Sequence, residues 1–144
     1  MKKVYVNAEK AVKQVNNFWN HIHFHPTDAI EDMWGQKILD AASADGAARR
    51  IRIYAMLEDI VTRDANGQLQ YDFTENDVRM DYMVSKGFNL LLSYNFIPAC
   101  MARNASLQSN MAKNKTRYKG KMICTAAPAD YNEWEEVCYQ YTRH

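Results

Sequence analysis

Three times along the chain a short extended segment is followed by apolar residues at helical spacing, and that repetition constrains the fold more than any other feature. Strand, helix, strand, helix, strand, helix implies parallel strands joined by right-handed crossovers. The first extended segment is Phe18–His25, where Phe18, Asn20, Ile22 and Phe24 alternate with Trp19, His21, His23 and His25 until Pro26 ends it. Asp28 and Glu31 stand as N-cap and N3 side chains able to satisfy free backbone donors. Ile30, Met33, Trp34, Ile38, Leu39 and Ala42 then predict a helix over 28–45, stopped by Gly46.

Arg50-Ile51-Arg52-Ile53-Tyr54 alternates strictly and predicts the second strand. The stretch from Met56 to Tyr71 reads as a loop, with a turn at Asp64-Ala65-Asn66-Gly67. Thr74 with Asp77 forms a capping box for a helix that turns Met80, Met83 and Val84 inward and ends at Gly87. Phe88–Tyr94 is apolar almost without interruption, the pattern of a parallel strand buried on both faces. A loop over 97–129 follows. Asp130 then caps a last helix in which Tyr131, Trp134, Val137, Cys138 and Tyr141 keep the 3.6-residue period.

Composition narrows the function classes. Eighteen Lys and Arg balance 17 Asp and Glu, which gives no overall pull toward nucleic acid or an anionic membrane. No run of about 18 apolar residues offers a spanning helix. Lys2-Lys3 is not followed by the apolar core of a signal peptide. Cys100, Cys124 and Cys138 are odd in number and lack a C-x-x-C pair, so free thiols in a reducing, cytoplasmic setting are expected. Residues 1–17 read as a polar lead-in with a short strand at Val4–Val6.

Several strings, in order, resemble one enzyme family. They are Phe18-Trp19, Arg52-Ile53-Tyr54 with Leu57-Glu58-Asp59, Tyr71-Asp72-Phe73-Thr74, Asn95-Phe96-Ile97-Pro98, Tyr118-Lys119-Gly120, and Pro128-Ala129-Asp130-Tyr131-Asn132-Glu133-Trp134. Together they resemble the N-terminal part of the catalytic barrel of glycoside hydrolase family 39, which holds β-xylosidases and α-L-iduronidases. The first strand and Leu57–Val61 are closer to the iduronidase branch, and the Tyr-Lys-Gly string to the β-xylosidase branch, so both substrates stay open.

The resemblance implies an α/β fold, about three βα units of a (β/α)8 TIM barrel, which as a whole needs about 250 residues. Residues 18–144 are then a partial barrel truncated after its third helix, with open strand edges. The family retains configuration with two glutamates, an acid/base after the fourth strand and a nucleophile on the seventh. Both fall beyond His144, so no residue here is expected to be catalytic and the chain alone is expected to be inactive. The alternative is a non-catalytic carbohydrate-binding fragment that assembles with itself to cover its strands.

The expected partner is a carbohydrate, with no cofactor, nucleic acid or membrane. Sites on such barrels form at strand C-termini. That places His25, Tyr54, Glu58, Tyr94, Asn95 and Phe96 along one wall of a sugar pocket. Tyr54 stands where the family carries a histidine; a phenol can still donate to a sugar hydroxyl or stack, but it cannot serve as an imidazole. Arg52, inward on the same strand, is expected to need a carboxylate from other strands.

His21, His23 and His25 on one strand face suggest a metal. Residues four apart on a strand are about 13 Å apart, too far for all three to reach one ion, and no metal is expected. Trp34 and Trp134 sit at core spacing and are expected to pack. The loop over 97–129 carries Arg103, Lys113, Lys115, Arg117, Lys119 and Lys121 without a single acid. It reads as a solvated loop beside the site.

Overall fold

The computed structural model describes residues 2–13, 20–23, 33–46, 48–108 and 124–144. Among them run β1 (His21–His23), α1 (Met33–Ala44), β2 (Arg50–Met56), the one-turn α2 (Leu57–Ile60), β3 (Val61–Arg63) and β4 (Leu69–Tyr71). These are followed by α3 (Thr74–Ser85), β5 (Asn89–Asn95), a 3-10 turn (Ala99–Met101) and α4 (Tyr131–Arg143). β1, β2 and β5 form one parallel sheet with β2 in the centre. The expected βαβαβα order is therefore present, as an α/β fold on a parallel sheet.

β2 is central because its alternation feeds two different faces. Ile51, Ile53 and Ala55 are fully buried on one of them. There Ile51 and Ile53 meet Leu39 of α1, Met83 of α3 and Phe88. Met83 and Phe88 also close α3: Phe88 N–H donates to Met83 O at 3.3 Å and Gly87 N–H to Val84 O at 2.8 Å. This is the paired C-terminal cap that needs a left-handed residue, and Gly87 supplies it at φ +84°. Gly46, the other predicted stop, lies at φ +60°.

A second core lies at the C-terminal ends of the strands. Ala55, Leu57, Ile60, Val61 and Met101 pack with Val137 and Tyr141 of α4. Asp130 caps α4 as expected, accepting the Asn132 N–H at 2.8 Å. Arg63 ties the neighbourhood together with a two-pronged bond to Glu133 (3.0 and 2.6 Å), while Nε donates to Cys100 O at 3.0 Å.

Several expectations are corrected. Val4–Val6 form no strand and are exposed, since nothing among the described residues pairs with them. The predicted loop from Met56 to Tyr71 holds α2 and an antiparallel hairpin of β3 and β4. Its strands are three residues each, too short to leave a readable period. The turn itself is where the sequence placed it, with Asp64 accepting the N–H groups of Asn66 and Gln68 at 2.9 and 2.8 Å.

α3 is entered not through a Thr74–Asp77 box but through Asp72, whose carboxylate accepts the Thr74 N–H at 3.0 Å. An acid two residues ahead reaches that donor without competing with the helix. Asp72 is accordingly held below its usual range, first by its hydrogen bonds to Thr74. In α1, Gly35 and Leu39 face the sheet, while Trp34 is 51% exposed and does not fill the core. The helix has one sheet face to cover, and a stripe through Gly35, Leu39 and Ala42 covers it.

β5 differs most from expectation. Leu91 is 58% and Leu92 37% exposed, so this apolar strand is not buried on both faces. Among the described strands it stands at the edge of the sheet, and Leu91 and Leu92, on opposite faces, are both open there. Of the predicted first strand His21–His23 are extended as β1, and Phe18, Trp19, Phe24, His25 and the Asp28–Glu31 pair lie outside the described residues, as does most of the basic loop (109–123).

Candidate functional site

The face of the sheet away from the helices is built differently. Register sets His23 beside Arg52 and Arg52 beside Leu91, then Tyr54 beside Ser93 and Met56 beside Asn95. Neighbours in a parallel register point the same way, so these side chains share one surface. It is polar and aromatic where the other face is aliphatic.

Tyr54 is its centre. The His23 ring meets it edge-on at 5.0 Å, the Phe96 ring lies 5.9 Å away, and the Arg52 guanidinium carbon is 5.4 Å from the Tyr54 centroid. Met56, 4% exposed, packs beneath Tyr54 and Phe96. Among the described residues Arg52 meets a hydroxyl and a ring, and no carboxylate. It donates to Ser93 Oγ at 3.1 Å, and that hydroxyl lies 2.8 Å from the Asn95 side-chain amide. A cation over a ring and a charge-assisted bond to a hydroxyl both hold a guanidinium in place without a counter-charge.

At the rim, Glu58 reaches from α2 to the backbone of Phe96, whose N–H donates to Glu58 Oε2 at 3.2 Å. The Asn95–Phe96 peptide there is cis. Asp59, the next residue, turns the other way to a salt bridge with Arg79 at 3.0 Å. Consecutive helical residues diverge by about 100°, so this pair cannot serve as two carboxylates on one substrate bond.

Of the six residues expected on the wall, the structure brings Tyr54, Glu58, Asn95 and Phe96 together. Tyr94 does not share the face of Tyr54, though it borders the adjoining cleft with Asn95 and Phe96. It stands on the helix side of β5, its ring edge-on to Tyr141 at 5.5 Å and its hydroxyl bonded to that of Thr142. The reason is the period of two, which sends Tyr94 and Asn95 to opposite faces. His25 lies outside the described residues.

Sequence reasoning did not place His23 and Ser93 on the wall. The signal for His23 was its shared parity with His21 and His25, and Ser93 became legible only once the register with Tyr54 was known. Beside the wall, Tyr94, Asn95, Phe96 and Ile97 face Cys124, Thr125, Ala126 and Trp134 across a cleft of about 260 Å³. Trp134 thus lines a cleft as well as packing on the second core.

Burial pushes the Cys100 thiol up, which makes it a poor nucleophile at neutral pH. Among the described residues no three His, Cys, Asp or Glu side chains converge as metal ligands. None of the described helices is long and apolar enough to cross a membrane.

Comparison with known proteins adds an independent line. The model for glycosyl hydrolases family 39 matches residues 2–144. A beta-xylosidase of Caldicellulosiruptor saccharolyticus is 24% identical over 147 residues, spanning 99% of this chain and 28% of the relative. Among solved structures, the GH39 enzyme of Xanthomonas axonopodis pv. citri aligns with a TM-score of 0.67 at 21% identity, over 86% of this chain and 23% of that one. A GH39 beta-xylosidase of Caulobacter crescentus aligns at 0.54 and 24% identity, over 66% of this chain and 22% of that one. The structural likeness is one of fold. The chain spans about a quarter of the length of the relatives it matches.

Proposed function

The chain belongs to glycosyl hydrolases family 39, and from that premise we propose that it forms the N-terminal βα units of a (β/α)8 barrel that hydrolyses a glycosidic bond with retention. In this reading β1, β2 and β5 are the first three barrel strands and the face carrying Tyr54 is the wall of the sugar pocket. The observation that carries it is the convergence of His23, Arg52, Tyr54, Asn95 and Phe96 at the C-terminal ends of parallel strands, where barrel enzymes build their sites.

The chemistry follows from what each side chain can do. Tyr54 and Phe96 offer aromatic faces for the C–H groups of a pyranose, while the Asn95 amide and the Tyr54 hydroxyl offer hydrogen bonds to its hydroxyls. A retaining enzyme also needs an acid/base and a nucleophile, with carboxyl groups about 5–5.5 Å apart. Glu58 is tied to the Phe96 backbone and Asp59 to Arg79, so neither is assigned such a role. The wall binds and orients; the two catalytic glutamates belong to other strands of the barrel. The relatives bearing the name beta-xylosidase favour a β-xyloside as substrate.

Titrating the 144-residue chain with p-nitrophenyl β-xyloside tests both parts. Amide signals of Tyr54, Asn95 and Phe96 are expected to move, with no p-nitrophenol released. A flat titration overturns the sugar wall. Release of p-nitrophenol overturns the placement of the catalytic pair elsewhere.

A second reading has its own support in the exposed Leu91 and Leu92 on the open edge strand. In it the chain is a non-catalytic fragment that associates with a second copy along β5. A discrete oligomer in size-exclusion with mass detection supports this reading, and a monomer argues against it.

A further inference from the structure

We propose that Arg79 is a positioning residue for the mouth of the site: through Asp59 it sets the one-turn helix α2 so that Glu58 meets the Phe96 N–H. The site role rests on the sugar-wall reading above; the positioning itself does not.

A four-residue helix cannot hold its own shape, because the first turn fixes several dihedrals in return for one hydrogen bond. α2 also lacks a side-chain cap at its start. Its geometry therefore comes from what it touches. Leu57 and Ile60, 0% and 1% exposed, anchor one side in the second core. That anchoring fixes which side of α2 faces the core and leaves the fine placement of its outer side chains to polar contacts.

Asp59 supplies one of them. Its carboxylate and the Arg79 guanidinium are 3.0 Å apart at 6% and 3% exposure. Arg79 spends its other terminal nitrogen on Glu75 Oε2, at 3.1 Å. A planar fork held by two carboxylates from α2 and α3 has a defined orientation, which a flexible ammonium group does not reproduce.

Glu58 emerges from the same turn about 100° away. Its distance to Phe96 N–H thus depends on how Asp59 is held. Phe96 is the residue whose ring stands 5.9 Å from Tyr54, so the chain of contacts runs from α3 through α2 to the rim of the pocket. A buried ion pair is a poor source of net stability, since apolar residues of similar volume often do as well. Orientation is what this pair provides and an apolar pair would not.

Amide hydrogen exchange of Phe96, read against the ladder amides of β2 and β5, separates positioning from stability. Arg79→Lys and Asp59→Asn are expected to speed exchange at Phe96 roughly tenfold or more while the ladder amides keep their order of protection. Glu58→Gln, which keeps an acceptor oxygen, retains protection at Phe96, and Glu58→Ala loses it.

The double variant Asp59→Leu/Arg79→Met removes both buried charges, so it covers the case in which a single variant does not fold. Its melting temperature is expected to recover while Phe96 stays fast. Unchanged protection at Phe96 in Arg79→Lys and Asp59→Asn, or protection that returns together with stability in the double variant, overturns the proposal. Failure of the sugar-wall reading has a different signature. A wild-type chain with a protected Phe96 amide and no xyloside-induced shifts ends that reading and leaves the role of Arg79 standing.

Discussion

The two faces of one sheet differ more than any two elements of this molecule. On the helix side, Ile51, Ile53 and Ala55 are fully buried under residues the chain itself supplies. On the other, Arg52 and Tyr54 alternate with them along the same strand and stay half-exposed, with Leu91 open beside them. The strand is shared, so backbone propensity cannot be the cause. One face has found its partners within this sequence, and the other carries hydroxyl, amide, guanidinium and aromatic groups suited to a polar ligand. Apolar burial is concentrated on the first face, and polar and aromatic groups on the second.

That contrast is sharpest in a pair of truncations one residue apart. Ile53→Ala leaves a cavity between α1 and α3 and is expected to cost about 3 kcal/mol. Tyr54→Ala, on the open face, is expected to cost about 1 kcal/mol or less while removing the xyloside-induced shifts. Urea unfolding of both variants decides it, and equal losses erase the distinction between the faces.

A smaller effect comes from the helix-side layer at high pH. Tyr141 is 7% exposed and its hydroxyl donates to Asn76 Oδ1 at 2.9 Å. Burial, the largest cause, pushes its phenol from 10.0 up to about 12. Between those values the unfolded chain has lost this proton and the folded chain has kept it, so stability falls as pH rises. The contribution is intact below pH 10 and fades toward pH 12, by on the order of 1–2 kcal/mol. Chemical denaturation at pH 9, 10, 11 and 12 gives the slope. Tyr141→Phe is expected to flatten that part of the profile.

The smallest effect on folding belongs to Leu91→Lys. A charge on an exposed edge-strand position is expected to change unfolding free energy by less than about 0.5 kcal/mol. If the chain does self-associate along β5, the same change is expected to shift its mass to that of a monomer. A destabilised Leu91→Lys would mean that the open face is packed after all.

Much of the architecture was legible because it is written in local chemistry. The alternation of Arg50 to Tyr54, the stops at Gly46 and Gly87, the Asp64–Gly67 turn and the Asp130 cap all depend on residues a few positions apart, and all are present. Short pieces escaped for the opposite reason. β3 and β4 have three residues each and gain their pairing from one another. The entry to α3 was misread because Asp72 and Thr74 can both cap, and only the backbone decides which donor is within reach.

The candidate site was half legible. Tyr54, Glu58, Asn95 and Phe96 follow from their place at strand ends, and the structure unites them. Tyr94 meets Asn95 and Phe96 only at the adjoining cleft, because parity turns it from the Tyr54 face toward Tyr141. His23 and Ser93 could not be matched to Tyr54 before the register was known. Arg79 was invisible, since its partner Asp59 lies 20 residues away and nothing local links them.

By itself, then, the sequence determined the order of elements, the alternation of β2 and the family resemblance, because periodicity, caps and motif order are properties of the chain as written. Tertiary structure alone decided which face each strand-end residue serves, that the Leu-rich strand would stand at an edge, and which carboxylate Arg79 holds. Those depend on register and on what lies across a gap in space, and no spacing along a chain encodes either.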